Sequence, residues 1–150
     1  MSPGSRDRDE AGRPRNARPR DDTGRPLARD AHAPTPDDPP ALPPDEAIDL
    51  AAQLLADGRA FRAHEVFEAV WKSTDVDREL WRGLAQLAVG ITHAQRGNTT
   101  GSQALLTRGA ESLRPWAATT PYGLDIDGLR DWATAAAASP EHATHPPRLR

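Results

Sequence analysis

The fold class is decided by residues 80–95, which read LWRGLAQLAVGITHAQ. Apolar residues recur here at helical spacing and occupy one face, namely Leu80, Leu84, Leu87, Ala88 and Ile91. This spacing is typical of an amphipathic α-helix that packs one side against a core. Apolar residues nowhere alternate with polar ones over more than a few positions, as a half-buried strand requires. The stretch therefore predicts an all-α fold.

Four further stretches show the same periodicity. A helix is expected from Asp45 to Gly58, because prolines and acids precede its apolar face and a glycine ends it. A second helix is expected over residues 59–73, and a fourth after the turn at residues 96–98. A fifth helix is expected after Asp125 or Asp127, either of which could cap it. Thr74–Asp77 offers a cap for the third helix. Short connections favour antiparallel neighbours, so the sequence predicts a compact antiparallel bundle of about five helices.

Three glycines lie inside these predicted helices, at positions 83, 90 and 109. Each costs about 1 kcal/mol relative to alanine in a helix interior. Close approach of two helix backbones commonly offsets such a cost, so helices are expected to cross near these glycines.

Composition divides the chain into three regions. Residues 1–44 hold ten of the 15 prolines, with eight arginines balanced by eight acidic residues. Their few large apolar residues cannot offset the backbone entropy of folding, about 1–2 kcal/mol per residue, so this extension is expected to be disordered. Residues 45–138 carry all four tryptophans and form the predicted helical domain. Residues 139–150 return to proline, histidine and arginine, and are expected to form a flexible tail.

Charge and composition exclude several classes of protein. The chain has 150 residues, a net charge of −3 and no cysteine, so disulfide frameworks, thiolate zinc sites and cysteine nucleophiles are excluded. No apolar run is long enough for a membrane span, and the N-terminus lacks the apolar region of a secretory signal. The weak negative charge argues against nucleic-acid binding. A cytoplasmic protein is expected, and a homodimer is plausible because a domain of about 95 residues leaves apolar area uncovered.

One segment of the second helix is richer in polar groups than packing requires. His64 and Glu68 are four residues apart and therefore share a helix face, whereas Glu65 points about 100° away. On the third helix, Gln86 and His93 lie along a second polar line. If the two helices form a hairpin, His64 and Glu68 are expected to face Gln86 and His93.

Two imidazoles and a carboxylate are a known ligand set for zinc and other divalent metals. The residues therefore suggest a metal site formed by His64, Glu68 and His93, with Gln86 orienting an imidazole from outside the ligand set. No cofactor is certain. The same His–Glu pair could act as a general base, or could be structural and tie the two helices together. The zinc-peptidase pattern HExxH is not met, because position 68 is glutamate.

These motifs together resemble a known bacterial family. The order Ala63-His64-Glu65-x-x-Glu68-x-x-Trp71, then residues 83–88, then His93-x-x-Arg96-Gly97-Asn98 is similar to the family of domain of unknown function 309. The resemblance extends over about residues 45–138. It implies a small all-helical domain with a polar cluster at the matching positions, listed in chain order as His64, Glu65, Glu68, Gln86 and His93. It implies no activity.

Three hypotheses about function follow. The first is a small helical binding protein that holds a divalent metal or a small polar ligand between helices two and three. The second is a helical interaction or scaffold protein in which the His/Glu cluster is purely structural. The third is a hydrolase-like enzyme that uses His64 and Glu68 as an acid/base pair. No nucleophile or phosphate-binding loop accompanies that pair, so an enzyme is the least favoured of the three.

Overall fold

The computed structural model describes residues 41–150 of the chain. Five α-helices are present in this part, with no strand: α1 (Pro44–Ala56), α2 (Ala60–Ser73), α3 (Arg78–Gln95), α4 (Thr99–Leu113) and α5 (Ile126–Ala138). Short 3-10 turns cover Arg114–Trp116, Pro121–Gly123 and His142–Thr144. Each helix packs against the next in chain order. The predicted all-α architecture of five helices is confirmed.

The helix ends follow local rules of the sequence. Pro44 is the first residue of α1, and Gly58 follows its end with a φ of +79°, a conformation that glycine adopts without strain. Asn98 caps α4 by accepting a hydrogen bond from the Gly101 amide. Asp125 caps α5 by accepting one from the Gly128 amide, so Asp125 and not Asp127 is the cap. Residues 1–40 of the predicted N-terminal extension lie outside the described residues.

The start of α3 differs from the prediction. Asp77 precedes the helix, but its carboxylate makes no capping hydrogen bond. It instead accepts a hydrogen bond of 2.5 Å from the Tyr122 hydroxyl and one of 3.4 Å from the Thr74 hydroxyl. The carboxylate therefore joins the α2–α3 connection to the turn before α5, a contact between segments 45 residues apart that local patterns do not indicate.

The core lies around Phe67 and Trp81, the largest fully buried side chains. The Trp81 ring centroid lies 6.3 Å from that of Phe67 and 5.6 Å from that of Tyr122.

Within residues 41–150, no helix is both long and apolar enough to cross a bilayer.

Helices α3 and α4 are in close contact at the three glycines singled out above. A Cβ atom placed on Gly90 would lie 2.7 Å from the Leu106 side chain, and one on Gly109 would lie 2.6 Å from that of Leu87. One on Gly83 would lie 2.9 Å from Leu113. The expectation that helix backbones approach at these glycines is confirmed.

The segment after α5 is packed against the helices. Ala143 and Leu149 are buried, and the Trp132 indole N–H donates to the His145 carbonyl. Arg150 reaches Asp45 and Asp49 on α1. This differs from the flexible tail predicted for residues 139–150, because two apolar side chains and one guanidinium find specific partners that overall composition does not reveal.

Tyr122 provides an optical test of its contact with Asp77. The hydrogen bond to Asp77, with burial and the negative charges of Asp77 and Asp45, raises the pKa of Tyr122 to about 12. Tyr122 is the only tyrosine of the chain, so tyrosinate absorbance at 295 nm reports it alone. We expect a midpoint near 12 in the native protein, a midpoint near 10 in denaturant, and a midpoint lowered toward 10 in Asp77→Asn, where burial and the charge of Asp45 remain.

The same shift makes stability depend on pH in the alkaline range. Between about pH 10 and 12 the unfolded chain has lost the Tyr122 proton while the native chain retains it, so stability falls as the pH rises through this window. Tyr122→Phe should not show this component. A native titration midpoint near 10 would contradict the contact.

Candidate functional site

Helix α2 brings two of the predicted site residues together. The His64 side chain is only 6% exposed, and its Nε2 atom lies 3.4 Å from Oε2 of Glu68. The other Glu68 oxygen, Oε1, lies 3.4 Å from Nζ of Lys72. An imidazole, a carboxylate and an ammonium group therefore follow one another along about two turns of a helix.

Both nitrogens of the buried His64 ring are without a hydrogen-bond partner. The 3.4 Å approach to Glu68 is thus an electrostatic contact that lacks hydrogen-bond geometry. The Phe61 ring lies one turn earlier, with its centroid 5.1 Å from that of His64. Buried polar groups in native proteins rarely lack a partner, which makes this imidazole the most unusual polar group of the predicted cluster.

Trp71 extends the same face by a further turn. It follows His64 by seven residues, which is close to two full helical turns. Its indole N–H is also buried without a partner, while the guanidinium of Arg78 lies 5.0 Å from the centre of its ring. The spacing of seven residues alone places Trp71 on this face, but no local pattern indicates that its N–H is unpaired.

Glu65 lies apart from this arrangement, as its helical position predicts. Its carboxylate is 3.6 Å from the Arg62 guanidinium, one turn earlier on α2. The pair is partly exposed, so it contributes at most about 0–1 kcal/mol.

Gln86 is buried on α3 but is bonded to α4. Its Oε1 atom accepts a hydrogen bond of 2.8 Å from the Ser112 hydroxyl. Gln86 makes no hydrogen bond to the His64 imidazole, because neither His64 nitrogen is hydrogen-bonded. Ser112 was not foreseen, since its contact depends on how α4 is rotated about its axis.

His93 also contacts the start of α4. Its Nδ1 atom lies 3.1 Å from Nδ2 of Asn98. The Asn98 oxygen already accepts from Gly101, so the amide nitrogen donates and His93 Nδ1 accepts. Burial, assisted by the nearby charge of Arg96, lowers the pKa of His93 below its usual value. Its lone pair is thus engaged in the α3–α4 turn.

The predicted metal ligands do not form one group. Among residues 41–150 there is no cluster of three or more His, Asp or Glu side chains placed to hold a metal ion. The end of α3, which carries His93, lies beside the connection before α2, where Gln95 donates to the Gly58 carbonyl. The structure brings His64 and Glu68 together and places Gln86 and His93 against α4.

Comparison with known proteins identifies a family that this part of the chain resembles. Residues 48–105 match the family described as domain of unknown function DUF309. Over these residues the chain is similar to the DUF309 family. The resemblance to this family is confirmed, although the match is shorter than the predicted 45–138 and runs from α1 into α4.

A curated relative of the DUF309 segment is uncharacterized protein YpuF of Bacillus subtilis strain 168. It is 34% identical over 73 residues, which cover 47% of this chain and 40% of YpuF. The chain therefore spans less than half the length of that relative. No solved structure matches the chain. All five predicted site residues fall within the DUF309 match.

Proposed function

We propose that this helical domain is a small binding module whose α2 holds a small polar ligand at His64 and Glu68. The observation that carries the proposal is the buried His64 ring with two unpartnered nitrogens. Leaving a buried donor or acceptor unsatisfied costs about 1–3 kcal/mol. A ligand that forms hydrogen bonds with the ring would offset this free-energy cost. Ligand binding would therefore account for a histidine at this buried position.

The neighbouring groups define the chemistry of the ligand. A neutral imidazole offers one N–H donor and one acceptor nitrogen, and the Glu68 carboxylate adds acceptors. Lys72 partly balances the carboxylate, and the unpaired Trp71 N–H adds a donor one turn further on. These groups suit a compact molecule that carries both hydrogen-bond donors and acceptors. The Phe61 ring packs beside the imidazole, with the two centroids 5.1 Å apart, and we expect it to move when a ligand binds.

A divalent metal remains the narrower version of this proposal. His64 and Glu68 would supply two protein ligands, whereas protein zinc sites commonly use three or four. Water or the ligand itself would have to supply the others. A polar ligand fits the described residues better than a resident metal does.

The binding proposal can be tested without knowing the ligand. The full chain, purified without a metal column, is analysed by native mass spectrometry and elemental analysis, and its thermal stability is measured with Zn²⁺, Mn²⁺ or Ni²⁺ added. We expect a noncovalent adduct or a metal-dependent shift that His64→Ala removes and His142→Ala, at an exposed position, retains. The proposal is contradicted if the chain carries no adduct and none of these ions changes its thermal stability.

Substitution of His64 by leucine separates binding from a structural role. Leucine keeps similar volume and removes both unpartnered nitrogens, so we expect the free energy of unfolding of the ligand-free protein to rise by about 1 kcal/mol. The midpoint of urea unfolding measures the change, with His142→Leu as the control.

The alternative is an interaction or scaffold protein in which His64 is purely structural. It is favoured by the contacts of His64 with Phe61 and Glu68, which order one face of α2. On this alternative His64→Leu lowers the stability, and affinity capture recovers a specific protein partner. A rise in stability would therefore count against it.

A further inference from the structure

The side chain of Arg150 contacts both the first helix and the turn before α5. One guanidinium nitrogen of Arg150 lies 3.0 Å from both the Asp45 carboxylate and the Tyr122 carbonyl oxygen. The other contacts the Asp49 carboxylate. One arginine side chain thus meets three acceptors from two separate segments.

Leu149 adds an apolar and a backbone contact. Its side chain is buried, with 4% of the residue exposed. Its carbonyl accepts a hydrogen bond of 2.9 Å from the Asp125 amide. A buried apolar side chain, a main-chain hydrogen bond and a charged contact on adjacent residues are the elements by which protein surfaces recognise extended peptides.

The acidic pair on α1 is suited to a guanidinium. Asp45 and Asp49 are one helical turn apart, and like charges at this spacing repel each other. A cation between them removes the repulsion. An arginine matches this site better than a lysine, because its planar group presents several N–H donors to separate acceptors, whereas an ammonium is a point charge. The helical region 45–138, with 13 acidic and nine basic residues, further attracts a basic segment.

We propose that Asp45, Asp49, Tyr122 and Asp125 form a docking site for an extended peptide segment of another protein in which leucine is followed by arginine. Residues 149–150 occupy this site in cis and so compete with that partner. The site does not include His64, so its test is independent of the function proposed above. Occupancy by a tethered segment acts as a high local concentration, which a free peptide has to overcome.

The test uses the full chain with Leu149→Ala and Arg150→Ala, which vacates the site. The probe is the capped peptide Pro-Pro-Arg-Leu-Arg, titrated while the Asp125 amide signal is followed by NMR. We expect binding at least about tenfold tighter than to the unchanged chain, where the tethered segment competes. Adding Asp45→Asn and Asp49→Asn should abolish binding, whereas Glu46→Gln, between them on α1, should not.

The specificity of the site supplies the remaining controls. Peptides with the leucine changed to alanine, or the final arginine to lysine, should bind more weakly. If circular dichroism shows that the double variant does not fold, the same titration is carried out with Arg150→Ala alone. A folded variant that does not bind the peptide, or whose binding survives loss of both aspartates, overturns the proposal. A dimer of the unchanged chain that the double variant loses would also overturn it, because the segment would then come from a second copy of this chain and not from another protein.

Discussion

Replacement of Trp81 by alanine is expected to lower the free energy of unfolding by about 3–5 kcal/mol. Trp81 is fully buried between the rings of Phe67 and Tyr122, so the substitution leaves a large cavity at the centre of the core. Total stabilities of single domains are only about 5–15 kcal/mol, and the variant should therefore be partly unfolded at moderate temperature. Urea unfolding followed by circular dichroism measures the loss.

The contribution of Trp81 is expected to come from packing alone. Its indole N–H has no hydrogen-bond partner, so Trp81→Phe should lose much less stability than Trp81→Ala. Trp116 is only partly buried, and Trp116→Ala serves as the matched control with a smaller effect. Equal losses at positions 81 and 116 would contradict the placement of the core.

Substitution of Gly90 by valine is expected to have the second-largest effect, a loss of about 1–3 kcal/mol or more from overpacking. A Cβ atom at this position would lie 2.7 Å from the Leu106 side chain and 3.2 Å from the Leu106 backbone nitrogen. A rotamer change cannot relieve the contact with the backbone, so α3 and α4 would have to move apart. Thermal and urea unfolding measure the loss.

The control for Gly90→Val is Ala135→Val, at an exposed position of α5, which carries only the small propensity cost of a β-branched residue. Gly90→Ala should be milder than Gly90→Val, since alanine gains about 1 kcal/mol of helix propensity over glycine. Full stability of Gly90→Val would show that the two helices are not in close contact at this position.

The helices could be predicted from the sequence because their signals are local. The spacing of Leu80, Leu84 and Leu87, the proline at the start of α1 and the Asp125 cap each depend on a few neighbouring residues. The close contacts at glycines 83, 90 and 109 could also be predicted. Glycine destabilises a helix interior, so its presence there indicates that a second helix packs closely against it. The register between helices, in contrast, is not indicated by any local sequence pattern.

The site could be predicted only where it lies within one helix. His64 and Glu68 share a face at any helix register, so their contact followed from spacing alone. The placement of Gln86 and His93 depended on the rotation of α3 relative to both neighbours, and both side chains contact α4 instead. Burial of the His64 nitrogens without a partner is likewise a property of the whole packing arrangement.

The contact between Arg150 and Asp45 has a consequence for the topology of the chain. Position 150 and the first turn of α1 are neighbours in space, so the path of residues 44–150 comes back to where it begins. The helical region is therefore suited to circular permutation, in which position 150 is joined to residues 41–43 by a short linker. New ends could be opened at Val76, which is 90% exposed in the connection between α2 and α3. All five helices would keep their neighbours in such a rearranged chain.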